Sequence, residues 1–167
     1  IREPLVVRWP GRVAPGATCD VPVMGIDFFP TFIDAAGIAA PKGNILDGLS
    51  LLPLLNQSGT IEERSLFWHF PVYLQAYAGK ADDSHDPLFR TRPGSALRQG
   101  KWKFHEYFEE GRLELYDLEA DPGERKNLAN LFPEKTTELH QLMQAWRSEL
   151  QAPIPTELNP KFKSAEN

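Results

Sequence analysis

Ser95-Ala-Leu-Arg-Gln-Gly-Lys-Trp-Lys-Phe-His-Glu-Tyr-Phe-Glu-Glu-Gly-Arg-Leu-Glu-Leu-Tyr-Asp-Leu118 holds three strand-like runs, Ser95 to Arg98, Lys101 to Phe108 and Leu113 to Leu118. Gln99-Gly100 and Glu110-Gly111 part them, and glycine in a short link between β-prone runs signals a hairpin turn. The stretch therefore predicts an antiparallel meander. Trp102 and Phe104 alternate with Lys101 and Lys103, which predicts one buried and one wet face. Upstream, Ser65-Leu-Phe-Trp-His-Phe70 is β-prone and closed by Pro71, supplying a further strand. Downstream, Asp121-Pro-Gly123 breaks the meander, with Asp121 and Glu124 expected to shape that turn and cap the helical turn after it. Leu139, Leu142, Met143, Trp146 and Leu150 then fall on one stripe of a long helix, which must cover the apolar face of the sheet. Trp102, Phe104, Met143 and Trp146 are the expected core, and His105 and His140 are expected at the surface.

Toward the N-terminus, Pro4-Leu-Val-Val-Arg-Trp9 reads as a buried strand of the parallel type. Ile26, Phe29, Phe32 and Ile33 have helical spacing; Pro30 places the helix start near Asp27, and Gly37 ends it. Residues 39–60 read as a Pro- and Gly-punctuated connector. The expected fold class is α+β: the edge strand and helix of a larger α/β domain, then a four-stranded antiparallel sheet packed against a long C-terminal helix. The expected division is 1–56 for the α/β remnant, 57–151 for the small α+β subdomain and 152–167 for an extended tail.

Composition narrows the function classes. A chain of 167 residues with 41% hydrophobic content can bury an ordinary core. The net charge of -5, with both signs interspersed, offers no stripe for a nucleic-acid backbone. Cys19 is the only cysteine, so neither an internal disulfide nor a thiolate zinc site is expected. No apolar run approaches the roughly 20 residues of a membrane span. The start at Ile1, already entering a strand-like run, reads as an internal boundary.

Five segments in order resemble the C-terminal part of the sulfatase family. They are Ile1-Arg-Glu-Pro-Leu-Val-Val-Arg-Trp-Pro-Gly11, Ile26-Asp-Phe-Phe-Pro-Thr31 through Gly37, Asp47-Gly-Leu-Ser-Leu-Leu-Pro53, Ala96-Leu-Arg-Gln-Gly-Lys-Trp-Lys103, and Leu115-Tyr-Asp-Leu-Glu-Ala-Asp-Pro-Gly-Glu-Arg-Lys-Asn-Leu-Ala129. The resemblance implies a sulfuric ester hydrolase of the alkaline phosphatase superfamily. In such enzymes a Cys or Ser within C/S-x-P/A-x-R becomes formylglycine, whose hydrate attacks sulfur. Calcium and Lys, Arg and His side chains hold the sulfate, meeting its developing charge with fixed cations. Cys19 is followed by Asp20-Val21-Pro22-Val23 and lacks those offsets. Formylglycine and calcium are therefore expected upstream of Ile1, with no catalytic and no metal residue in this chain and no turnover by it alone. The implied partners are the N-terminal portion of the same sulfatase and a sulfated small molecule or carbohydrate, with neither nucleic acid nor membrane. A bacterial enzyme of the usual kind would be periplasmic or secreted. The alternatives are a non-catalytic binding or oligomerisation module, and a related phosphoester or phosphonate hydrolase.

Four residues are the candidate substrate contacts. His69 stands in a Trp-His-Phe-Pro string that, by the same resemblance, approaches the substrate mouth. Tyr73 and Arg92 bracket a polar loop from Tyr77 to Pro93, together with Arg90, and a guanidinium fork suits sulfate. Arg98 lies with Lys101 and Lys103 on the expected wet face. Asp82, Asp83, His85 and Asp86 are metal-ligand types, but charged loop clusters of this kind are ordinarily solvated.

Overall fold

The structure, a computed structural model, describes residues 3–75, 89–157 and 160. They divide into two compact units between Glu63 and Arg64.

In the first unit a 3-10 turn, Gly25–Asp27, leads directly into helix α1, Phe28–Ala35. Pro30 sits in its first turn, where a missing N–H is harmless. Gly37, at φ 66°, closes the helix while the Ile38 amide donates to the Ile33 carbonyl at 3.0 Å. Pro4 to Trp9 is not a strand: no described segment pairs with it, and Val6 is 88% exposed. A strand exists only through its ladder, and the apolar run by itself supplies no partner. The connector, which includes helix α2 (Leu52–Leu55), is instead bound to α1 by side chains. Asp27, fully buried, accepts from the amides of Met24 (2.8 Å) and Leu49 (3.0 Å). Thr31 donates its hydroxyl to the Asp27 carbonyl and accepts from the Leu51 amide.

The second unit carries strands β1 (Leu66–Phe70), β2 (Leu74–Gln75), β3 (Phe89–Thr91), β4 (Gly94–Gln99), β5 (Trp102–Tyr107) and β6 (Arg112–Asp117), then helix α3 (Pro133–Leu150). β1, β4, β5 and β6 form the four-stranded antiparallel sheet in that spatial order, and β2 and β3 pair separately. Gly100 (φ 54°) and Gly111 (φ 60°) provide the left-handed residues at the two hairpin links. Register places Leu97, Phe104 and Leu115 side by side. Leu139 and Met143 of α3 complete that core, all five with 0% exposure. Trp146 stacks on Phe67 at 4.7 Å, and Trp102 meets Phe132 edge-on. Leu150, expected on the packed stripe, is 58% exposed as the last residue of the helix.

Beyond β6 the connection docks through Asn127. Its Nδ2 donates to the Leu113 carbonyl, and its Oδ1 accepts from the amides of Leu115 and Ala129. The side-chain amide thus stands in for a neighbouring strand at the sheet edge. Asn127→Ala is expected to cost about 2 kcal/mol, since the backbone groups it serves lose their partners. Asn127→Asp, which keeps the acceptors, should cost less than alanine at neutral pH. Urea unfolding of the two variants measures this, and equal midpoints for alanine and the unsubstituted chain would refute it.

The face of the sheet away from α3 is not wet at its centre. Lys103 is buried and donates to Glu124 at 2.5 Å, while His105 packs against Tyr107 and Tyr116 with Nε2 3.5 Å from Glu124. Glu124 reaches them because the connection folds back over the sheet, its turn fixed by Asp121 accepting from the amides of Arg125 and Lys126. Strand alternation assigns a side chain to a face but says nothing of what covers that face. His140, also expected at the surface, is half-buried against Phe104 and lies 3.2 Å from Glu106.

Burial drives the His105 pKa below its ordinary 6.5, with Glu124 opposing. Burial works against the charge on Glu124 too, yet His105 and Lys103 outweigh it and hold that carboxyl at about 2 rather than 4.5. Both folded values are depressed, so both groups contribute stability at neutral pH that is lost on acidification. The unfolding free energy should fall below pH 6.5 through His105 and again below pH 4.5 through Glu124. His105→Gln should remove the upper part of that slope. A stability profile with the same slope between pH 7 and 5 in both proteins would contradict this.

Candidate functional site

Two of the four candidate contacts converge. Tyr73, between β1 and β2, and Arg92, between β3 and β4, both bind Glu109 in the β5–β6 link. Arg92 donates to Glu109 at 2.8 Å, and the Tyr73 hydroxyl donates to the other carboxylate oxygen. The pair is well shielded, with side-chain exposures of 10% for Arg92 and 7% for Glu109. Tyr73 also packs on Phe89 at 4.7 Å, and the Arg92 guanidinium lies 5.6 Å from that ring. Arg92 therefore has a carboxylate before any sulfate could reach it. Glu109 and strand β3 both escaped the sequence reading. The alternation of Phe89-Arg90-Thr91 was the available signal, but three residues are too short to separate from loop.

His69 stands near this cluster but faces inward. Its Nδ1 lies 2.9 Å from Ser95 Oγ, and its Nε2 lies 2.8 Å from the Pro153 carbonyl, 84 residues away. A carbonyl only accepts, so Nε2 carries a proton and donates. Ser95 is 4% exposed and also takes a hydrogen bond from Arg147. Ser95 and His69 resemble a nucleophile and base only by residue type, because the hydroxyl is enclosed. What the arrangement does is fasten the segment after α3 to the sheet.

Arg98 belongs elsewhere. It is opposite Leu66 and Lys103 on the face away from α3, with Nε donating to the Gly100 carbonyl. Arg90 is exposed on β3. Asp82, Asp83, His85 and Asp86 lie outside the described residues.

A cavity of about 440 Å³ opens beside the Tyr73 and Glu109 cluster. Pro71, Val72, Tyr73 and Pro93 line it with Phe108 and Glu109, and Pro155 to Glu157 close one side. Phe108 packs between His69 at 5.7 Å and the Arg147 guanidinium at 5.2 Å.

The N-sulphoglucosamine sulphohydrolase C-terminal family profile matches residues 1–152, nearly the whole chain. The chain belongs to that family. It is 30% identical to an N-acetylglucosamine-6-O-sulfatase of Bacteroides thetaiotaomicron, covering 93% of this chain and 26% of that protein. Arylsulfatase A of Homo sapiens is 33% identical, with 92% of this chain and 32% of that protein covered. A protein solved in complex with its substrate D-glucosamine-2-N,6-O-disulfate superposes with a TM-score of 0.64 at 25% identity, over 91% of this chain and 29% of its own. These homologues are sulfatases, and the chain spans about a quarter to a third of their length.

Among the described residues no three His, Cys, Asp or Glu side chains converge as a metal site. Cys19, exposed, lacks the Pro and Arg offsets that formylglycine formation needs.

Proposed function

We propose that this chain is the C-terminal segment of an enzyme that hydrolyses a sulfate ester on a carbohydrate, where it supplies structure and one wall of the substrate pocket. The single observation that carries this is the family match over residues 1–152 joined to its partial coverage of longer sulfatases. On this reading formylglycine and calcium belong to the remaining portion of the enzyme. That portion also packs against the apolar residues exposed on the first unit, among them Phe29 (50%) and Phe32 (67%). Tyr73 and Arg92 act at the pocket wall as one fixed group with Glu109, and His69 acts by holding the tail. Arg98, on the other face of the sheet, contacts substrate only if that face too borders the pocket.

The test is turnover of a chromogenic sulfate ester. This chain alone is expected to show none, and the chain joined to the N-terminal portion of a sulfatase of this family is expected to show it. Turnover by the chain alone, or none by the joined enzyme, defeats the proposal.

A further inference from the structure

The connection from β6 to α3 closes one edge of the sheet and is itself held by a buried charge cluster. The spatial order β1-β4-β5-β6 puts β6 at an edge, where a strand presents unpaired backbone groups. Asn127 takes them up: its amide nitrogen donates to the Leu113 carbonyl and its oxygen accepts from the Leu115 amide, each at 3.1 Å. Earlier in the same connection, Glu124 reaches across the sheet face away from α3, to Lys103 at 2.5 Å and toward His105. Asp121 bonds the turn internally, accepting from the amides of Arg125 and Lys126 through its side chain and from the Glu124 amide through its carbonyl. Edge cap and charge cluster therefore belong to one internally bonded segment, Asp121 to Asn127.

Two features work against the closed arrangement. Glu124 is left-handed at φ 55°, a conformation that a residue with a side chain keeps only where its surroundings enforce it. His105 buries its Nε2 at 3.5 Å from the Glu124 carboxylate, beyond a well-formed hydrogen bond, and burial disfavours the charged ring. At neutral pH the cluster sets one cation, Lys103, against one carboxylate. A proton on His105 adds a second cation where the nearby carboxylates are engaged. Glu114, opposite on β6, holds Arg112 and accepts from the Tyr116 hydroxyl, while Asp121 is occupied by its turn. Arg98, opposite Lys103 on β4, adds positive charge to this face, and burial keeps the Tyr107 and Tyr116 rings beside His105 neutral.

We propose that Asp121 to Asn127 form an acid-opened clasp on the sheet edge: protonation of His105 favours a form in which Glu124 has left Lys103 and Asn127 has left β6. The closed cluster hydrates neither cation, whereas the open form hydrates both. Opening also releases Glu124 from its left-handed conformation and leaves the Leu113 carbonyl and Leu115 amide unpaired at the edge. Strand β5 stays in place because it is paired on both sides, and Thr136, donating to the Ala129 carbonyl, keeps the far end of the connection on α3. The event is local to a folded second unit, and it does not depend on the sulfatase reading.

Hydrogen exchange on the whole chain, read as protection factors at pH 7 and pH 5 and in low urea, tests the clasp. The Leu115 amide, bonded to Asn127, is expected to be at least about tenfold less protected than the Phe104 amide on β5, and to lose about a further tenfold between pH 7 and pH 5. Low urea should leave Leu115 unchanged while lowering protection at Phe104, because a local opening exposes little surface and global unfolding exposes much. In His105→Gln, whose side chain does not titrate, Leu115 should be equally protected at both pH values. Glu124→Gln should open the clasp already at pH 7, lowering Leu115 protection about tenfold; if that variant does not fold, His105→Gln decides alone. Equal protection and equal urea dependence at Leu115 and Phe104, no acid loss at Leu115, or the same acid loss in His105→Gln would overturn the proposal.

Discussion

Gly48→Ala is expected to destabilise the first unit by at least about 3 kcal/mol, the upper end of what overpacking alone costs. A Cβ built on Gly48 would lie 2.1 Å from the Ile26 carbonyl oxygen and 2.8 Å from the Asp27 nitrogen. Both are backbone atoms, so no side chain can swing aside to admit it. The loop must lift, and lifting it breaks three bonds in series: Leu49 amide to Asp27, Leu51 amide to Thr31, and the Ser50 hydroxyl to Asp34. Asp27 would then be a buried carboxylate short of a donor, which costs more than the bond itself contributed. Hydrogen exchange at Leu49 and Leu51 reports the effect directly, and amides there that stay protected in Gly48→Ala would refute it. Ser50→Ala, which removes the exposed bond to Asp34 and the acceptor for the Leu52 amide, should cost about 1 kcal/mol.

The Asp47-Gly48 string was legible as a family signature, yet its reason was not, because the contact it permits joins residues some twenty positions apart. The same holds across the fold. The meander announced itself through alternation and two glycines, and α3 through its stripe, since these are signals internal to one element. Pro4 to Trp9 carried an equally apolar signal and forms no ladder among the described residues, because pairing needs a second strand that local pattern does not supply. Lys103 was placed on the correct face, and both it and His105 were given the wrong environment, because Glu124 arrives from outside the strand. At the candidate site the residue types were readable and their partners were not. His69 was readable as a polar ligand type, and its neighbours, Ser95 at one ring nitrogen and the distant Pro153 carbonyl at the other, were not. Arg92 had the right fork for an anion, and the anion it meets is Glu109.

Arg147→Ala should destabilise the second unit by about 3–5 kcal/mol, the cost of removing one partner from a buried ion pair. Arg147 sits on α3 one turn after Met143, at the border of the apolar stripe, and is 5% exposed. Its guanidinium donates to Glu106 at 2.6 Å and to Ser95 at 3.3 Å, and it covers the Phe108 ring. Without it the cation left beside Glu106 among the described residues is His140, at 3.2 Å, when that ring is protonated. Replacing both members, Arg147→Met with Glu106→Leu, should recover most of the loss, because an apolar pair of similar bulk needs no charge compensation. Urea unfolding followed by tryptophan fluorescence measures both, Trp146 lying one residue away on the helix. Recovery of stability does not imply recovery of local order: the double variant still lacks the donor to Ser95 and the cation behind Phe108. If Arg147 serves only the ion pair, the Ala152 amide of the double variant will be as protected from hydrogen exchange as in the unsubstituted chain. If it also orders the His69 and Pro153 fastening, stability will return while the Ala152 amide exchanges faster, and that split is the expected result.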